Sequence, residues 1–414
     1  MEPLNILISA YACRPGEGSE PGLGWNPIQE VAKYHNVWVL TRQNNRPTIE
    51  AELNQNPIIK LQVIYCEPPS WVRPANLKQR VVYLHYYLWQ IAAYFVAKQL
   101  QETITFDVVH HVTYERHSTP SFLALLPIPF LWGPVGGGES APKAFWLDFG
   151  WRGIMYEIMR DIARNLGELD PFVKLTAQRS VLVWGTTAET TQRLRKLGAK
   201  NVEVLSQLGL SDLEITQLSQ LADSQPQGVK FISIGRLLHW KGFHLGLKAF
   251  AEAKLPPDAE YWIVGDGPER RRLETLVQNL GIANQVKFWN QLSRPETLKK
   301  LSECLGLVHP SLHESGGLVC VEAMAAGRPV ICLNLGGPAL IVSEDAGFKV
   351  EPNNPDQVIN DLANAMTIVA NDKHLWKQKS DRSRARVKNL YSWQNKGPEL
   401  ANLYETIHNS HNSV

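Results

Sequence analysis

Short apolar runs recur along this chain, each closed by Gly, Pro or polar residues and followed by a stretch of helical periodicity. Asn5–Ala10, Val37–Thr41, Leu61–Tyr65, Val108–His111 and Pro129–Trp132 are such runs, and VLVWG after Ser180 opens another strand, helix and strand. A strand that is apolar on both faces must be covered on both faces, and a parallel sheet flanked by helices does this. LSDLEITQLSQLADSQPQGVK, from Leu210, is polar and rich in Gln and Ser. The alternation then starts afresh at Phe231–Ile234, Tyr261–Val264, Val286–Trp289, Leu305–His309 and Val330–Leu333, with helices over Leu245–Ala253 and from Pro268. Single cores stop growing near about 250–300 residues, so a chain of 414 divides. We expect an α/β protein with two doubly wound parallel-sheet domains, 1–210 and 211–390, a terminal segment 391–414, and a boundary within 209–228.

The formal charge of +2, from 42 basic and 40 acidic residues, creates no global field. No nucleic-acid partner is expected, and any basic site must be local. Cys13, Cys66, Cys304, Cys320 and Cys332 are scattered without zinc or disulfide spacing, as in a reducing cytoplasm. The N-terminus has no basic region ahead of its short apolar run and reads as a first strand, not an export signal. Val81–Val96 is apolar or aromatic except at His85 and Gln90, with Arg73, Lys78, Arg80 and Lys98 nearby. As a helix it is about 24 Å long, short of a hydrocarbon core of about 30 Å. It is either a buried helix or a surface for peripheral contact with a membrane or a greasy acceptor.

The segment HPSLHESGGLVCVEAMAAGRPVICLNLGG, from His309, carries the most chemistry. Its strand, glycine turn and helix present free backbone N–H groups at the positive end of a helix dipole, a phosphate site at Gly316, Gly317, Leu318 and Val319. Glu314 precedes the turn, and Glu322 lies about 7.5 Å along the helix, placed for a diol such as ribose. The second cluster is SIGRLLHWKGFHLGLKAF, where Gly235 ends a strand and Arg236 and Lys241 follow. Two cations at the carboxyl end of a strand face the crevice where open α/β sheets bind ligands, and suit a diphosphate. In the first domain, glycines including Gly16 and Gly18 follow strand one, and GPVGGGE brings Gly136 and Gly137. Both loops are expected to face a cleft between the domains and to approach a substrate closely, or else they are plain surface turns. The spacing GxGxxxG and Arg42 at the end of the second strand disfavour a nicotinamide cofactor. VVHHVTYERH holds His110, His111, Glu115 and His117; the stretch begins as a strand, which does not suit a zinc helix, so one histidine in the acceptor region or plain strand-end packing is expected, and no metal.

Taken together, GRLLHWKG at 235–242, IVGDGPER at 263–270, Glu314 and Glu322 with seven residues between them, and YSW at 391–393 resemble glycosyltransferase family 4, the retaining, nucleotide-sugar-dependent enzymes of the GT-B fold. The resemblance implies two Rossmann-like domains facing a cleft, and a last helix, about Trp393–His408, that crosses back to the first. It implies that Arg236, Lys241 and the Gly317–Val319 amides hold the donor pyrophosphate, that Glu322 binds the ribose and that Glu314 lies near the transferred sugar. It further implies a donor nucleotide sugar, a saccharide, lipid-linked or small-molecule acceptor, and no required cofactor. SQLGL at 206–210 departs from the family's usual PNG-type turn, and Asn290 stands where many members have glycine. A binding protein without turnover, or a phosphorylase or epimerase of the same fold, would share these features. No DxD tripeptide occurs, so no metal bridge to a diphosphate is written into the chain.

Overall fold

The structure, a computed structural model, describes residues 2–69, 82–114, 116–206, 208–222 and 226–412. Arg73, Lys78, Arg80, Val81 and Glu115, singled out above, lie outside the described residues. The apolar runs are strands: β1 (Asn5–Ser9), β2 (Asn36–Thr41), β3 (Leu61–Tyr65), β4 (Val108–His111), β5 (Phe130–Val135), β6 (Ser180–Gly185) and β7 (Val202–Val204). They are followed by β8 (Lys230–Ile234), β9 (Glu260–Val264), β10 (Val286–Trp289), β11 (Gly306–His309), β12 (Val330–Leu333) and β13 (Gly347–Val350). Among the described residues they form a 7-stranded sheet, β3-β2-β1-β4-β5-β6-β7, and a 6-stranded sheet, β10-β9-β8-β11-β12-β13. The pairings are parallel, and in each sheet the chain order reverses beside the first strand, between β1 and β4 and between β8 and β11.

The chain divides into two units, 1–138 with 161–207 and 393–414, and 139–160 with 208–392. Residues 139–160, which the sequence reading left in the first domain, belong to the second unit. Phe145 and Phe149 are buried in the cluster that holds Phe243, Leu273 and Val308, and Phe149 meets the His239 ring edge-on at 4.9 Å. The apolar side chains of this excursion are its anchor. The expected polar linker is instead mostly the helix Asp212–Ala222, with Leu218 buried. Its start is a capping box. The Glu214 carboxylate accepts from the Ser211 backbone N–H at 2.8 Å, and the Ser211 hydroxyl accepts from the Glu214 N–H at 3.3 Å.

The helix Trp393–Asn412 groups with the first unit, where it packs on the helix Ser19–Val31. A Cβ at Gly397 would stand 2.8 Å from that of Glu30, so only glycine lets the two backbones come this close. Deeper in the contact, the Tyr404 hydroxyl lies 2.6 Å from His110 Nδ1, and the other ring nitrogen meets the Gly133 carbonyl at 2.7 Å. Burial pushes the His110 imidazole down to about 4, so it is neutral near pH 7.

Two first-unit expectations change. The loop after β1 is shorter than its glycines suggested, because the helix begins at Ser19 and takes in Gly22 and Gly24. Gly24 serves packing: a Cβ there would fall 2.0 Å from the Ala12 carbonyl oxygen. The apolar segment near 81–96 is the helix Val82–Leu100, whose Tyr86, Trp89, Gln90, Ala93 and Ala97 are buried, while Leu84 and Phe95 remain exposed. Among the described residues no helix is long and apolar enough to cross a membrane.

Docking of the last helix through the buried Tyr404–His110 pair predicts that Tyr404→Phe lowers unfolding free energy by about 1–2 kcal/mol, leaving a buried ring nitrogen unmatched. Urea denaturation followed by circular dichroism measures this. An unchanged midpoint would remove the pair from the account of how this helix is held.

Candidate functional site

In the second sheet the strand order reverses between β8 and β11, and the carboxyl ends of those two strands carry the predicted cations and acid side by side. After β8 the chain passes through Gly235 and the exposed Arg236, which among the described residues has no side-chain partner. The loop after β9 holds this segment in place. Leu237 N–H donates to the Asp266 carbonyl at 3.0 Å, and Glu269 N–H donates to the Leu237 carbonyl at 3.1 Å. That pairing is the structural content of IVGDGPER.

A 3-10 turn, His239–Lys241, then delivers Lys241. It ends at Gly242, with φ of 67°, where a Cβ would fall 2.0 Å from the Pro310 carbonyl oxygen. The left-handed backbone and the close approach both require glycine. Trp240 is clamped in this turn between Tyr156 and His313, stacked on each with ring centroids 5.0 Å apart. Glu157 lies beneath, 3.0 Å from His239 Nε2 and 3.3 Å from His313 Nε2. Burial alone would raise the Glu157 carboxyl, but its hydrogen bonds with the two histidines and the nearby Arg160 hold it well below the usual carboxylate range. Sequence reasoning passed over this clamp because its parts come from segments more than seventy residues apart.

Lys241 is not a free cation. Its Nζ donates to Glu314 Oε2 at 2.7 Å, and His309 Nε2 meets the same oxygen at 2.6 Å. Desolvation pushes the Glu314 carboxyl up, yet Lys241 and His309 outweigh it and keep the group ionised well below its ordinary range. The loop that follows folds back on the turn at Gly336–Gly337. Gly337 N–H donates to the Glu314 carbonyl at 2.8 Å, and a Cβ on Gly337 would fall 2.0 Å from the Gly316 oxygen. The final Gly-Gly of the motif is thus a packing requirement of the Glu314 loop.

The helix Leu318–Ala325 starts at Gly317 in a left-handed conformation, with Leu318 and Val319 half-buried at its first turn. First-turn N–H groups have no intrahelical acceptor, so this end presents donors beside the Lys241–Glu314 pair. Four positions further into the helix, Glu322 is nearly buried, and Arg294 approaches its Oε1 at 2.8 Å. Arg294 also reaches Glu214 Oε1 at 2.7 Å. Burial raises the Glu322 carboxyl, and Arg294 offsets this only in part. Oε2 of Glu322 has no hydrogen bond among the described residues. Arg294 and Glu214 are site residues that the sequence reading missed. The cue was the SxxE capping box at 211–214, read there as linker.

The first-unit candidates are less uniform. Gly16 is exposed with φ of 69°, and Gly18 precedes the first turn of the helix Ser19–Val31. Gly136 is buried and pairs with Arg116 as an isolated bridge, and the Gly137 carbonyl accepts from Arg164 at 3.1 Å. His111 and His117 have no exposed surface. His111 Nε2 lies 3.1 Å from the Tyr86 hydroxyl, and His117 Nε2 lies 3.0 Å from Glu168. Burial lowers them to about 3 and about 4, respectively. Both serve the interior packing of this unit.

Comparison with known proteins agrees with this geometry. Residues 218–382, within the second unit, match the family model of glycosyl transferases group 1. An uncharacterized glycosyltransferase of Methanocaldococcus jannaschii is 33% identical over 174 residues, 42% of this chain and 43% of the relative. The chain therefore aligns with less than half of that relative's length. HepE of Anabaena, solved in complex with UDP and glucose, superposes with a TM-score of 0.62 at 18% identity over 97% of this chain and 100% of that one. Sucrose-phosphate synthase from Thermosynechococcus elongatus gives 0.68 at 18% identity over 98% and 100%. The fold is thus the two-domain GT-B fold of these proteins.

The ion pair generates a pH-dependent prediction. Because folding depresses the Glu314 carboxyl, its stabilisation is complete above the unfolded value of about 4.3 and is lost as pH falls toward the folded value. Glu314→Gln is expected to cost about 1–3 kcal/mol at neutral pH. The gap from the wild type should shrink steadily below about pH 4. Paired urea titrations across this range measure it, and a gap independent of pH would contradict the assignment.

Proposed function

We propose that this chain is a glycosyltransferase that moves a sugar from a nucleoside-diphosphate sugar to a saccharide, lipid-linked or small-molecule acceptor. Transfer proceeds with retention of anomeric configuration and without a required metal or other cofactor. In this reading the protein is a hexosyltransferase of the cytoplasm, with peripheral contact to the inner face of the membrane. The observation that carries the reading is the convergence, at one point of the second sheet, of Arg236, the Lys241–Glu314 pair and the first turn of the helix Leu318–Ala325. The complex of the similar HepE with UDP and glucose supports a uridine diphosphate sugar as the first donor to try.

Rupture of the anomeric C–O bond places negative charge on the leaving diphosphate and positive charge on the sugar ring. Arg236 and the first-turn amides address the diphosphate. Lys241, held by Glu314 in the resting state, turns its charge toward the same phosphates as that charge grows. Glu314, ionised by its surroundings, faces the sugar side and stabilises oxocarbenium character. Glu322 offers its unoccupied Oε2 to a ribose hydroxyl, with Arg294 neutralising the buried carboxylate.

Incubation with labelled UDP-, GDP- and ADP-sugars, with and without sugar or lipid-linked acceptors, tests this reading. Arg236→Ala and Lys241→Ala should each lower kcat/KM by about 100-fold or more, as for the loss of a donor to developing charge. Chelation should leave the rate unchanged, and the product should keep the donor's anomeric configuration. Full activity of both variants would sink the diphosphate assignment, and an inverted product would sink the mechanism.

A further inference from the structure

The helix Gly150–Glu168 is built inside out. Apart from the exposed Arg152 and the partly exposed Asp161, its charged residues are turned into the protein. Glu157 meets His239 and His313, Arg160 donates to the Glu139 carbonyl at 2.8 Å, Arg164 donates to the Gly137 carbonyl, and Glu168 meets His117. The opposite face carries Trp151, Met155, Ile158, Met159, Ile162 and Leu166, spaced three or four residues apart and between 44% and 70% exposed. This is a continuous apolar stripe about 22 Å long. Because the polar face is already satisfied inward, turning the helix over would not cure the exposure. A contiguous apolar surface of this kind marks a contact.

The charges beside it indicate the partner. Between 143 and 179 the exposed charged side chains among the described residues are Lys143, Arg152, Lys174 and Arg179, all basic, with Asp161 about a third exposed and paired to Arg164. The acids of the same stretch are buried or half-buried and engaged: Asp148 with His244, Asp161 with Arg164, and Asp170 with the Tyr87 hydroxyl, in addition to Glu157 and Glu168. An apolar stripe with Trp151 at one end, in a stretch of chain whose exposed charged side chains are all basic, matches the boundary between anionic headgroups and acyl chains. A second copy of the chain would bring the same cations face to face. We propose that this helix lies in the surface of an anionic phospholipid bilayer and is the segment that brings the protein to its membrane. The proposal deepens the peripheral contact named above and rests on that part of the reading alone. It also moves the contact away from Val82–Leu100, whose Tyr86 and Trp89 are in the core.

The test is co-sedimentation of the full chain, without substrates, with vesicles of phosphatidylcholine alone and of phosphatidylcholine mixed with phosphatidylglycerol. The wild type should pellet with the mixed vesicles. The triple variant Met155→Ser, Met159→Ser, Ile162→Ser should partition at least about tenfold more weakly. The pair Arg152→Glu, Lys174→Glu should lose the preference for anionic vesicles while keeping the apolar face, which provides a second reading should the triple variant fold poorly. A wild type that stays in the supernatant with both vesicles overturns the proposal, as does binding that neither variant weakens. Self-association seen by light scattering and abolished by the triple variant would assign the face to a second copy and overturn it too. Transfer to a water-soluble acceptor, assayed separately, reads the catalytic proposal independently.

Discussion

The ion pair between Lys241 and Glu314 is the interaction on which the second unit's site depends. The two residues are 73 apart in sequence and meet because β8 and β11 are neighbours in the sheet. The reversal of strand order leaves the ends of those strands uncovered by a crossover helix, so their loops are free to converge on a ligand. Each side of the pair is positioned by a backbone approach that only glycine allows, Gly242 against Pro310 and Gly337 against Gly316. Without Glu314, Lys241 would be left half-buried and uncompensated, and without Lys241 the carboxylate would keep only His309; either loss costs more than the pair itself contributes. In the proposed reaction this arrangement becomes a reserve of charge: a cation already held in place shifts from a fixed carboxylate to a transient anion.

Much of this organisation was legible in the sequence because it is local. Strands apolar on both faces announce themselves by composition, and Leu61–Tyr65, Val108–His111, Val286–Trp289 and Val330–Leu333 occur where the apolar runs placed them. The glycine turn before the helix at Leu318 is likewise a local signal of backbone chemistry. Partners were less legible. Nothing near Lys241 states that Glu314 and His309 will meet it, and nothing near Glu322 names Arg294. Such pairs are set by which strand ends adjoin, information carried by topology rather than spacing.

Residue type does not disclose which way a face points. Gly22 and Gly24 looked like loop glycines, but both lie in a helix, and Gly24 lets that helix press against the segment that follows β1. The helix Val82–Leu100 buries Tyr86, Trp89 and Gln90, the first of the two readings its composition left open, whereas the mixed sequence of Gly150–Glu168 turns an apolar side outward. The clustered histidines illustrate the same point. Their polarity suggested chemistry, yet burial keeps His110, His111 and His117 neutral and confines them to packing hydrogen bonds.

The central claim is that the ends of β8 and β11, with the first turn of the helix at Leu318, form a diphosphate site. Titration calorimetry comparing UDP with uridine tests it most directly, because the two differ only in the phosphates. The account predicts that UDP binds at least about a hundredfold more tightly, from two charge-assisted contacts, and that Arg236→Ala removes a large part of the difference. Equal affinity for UDP and uridine, or an advantage for UDP that survives loss of both Arg236 and Lys241, would contradict it.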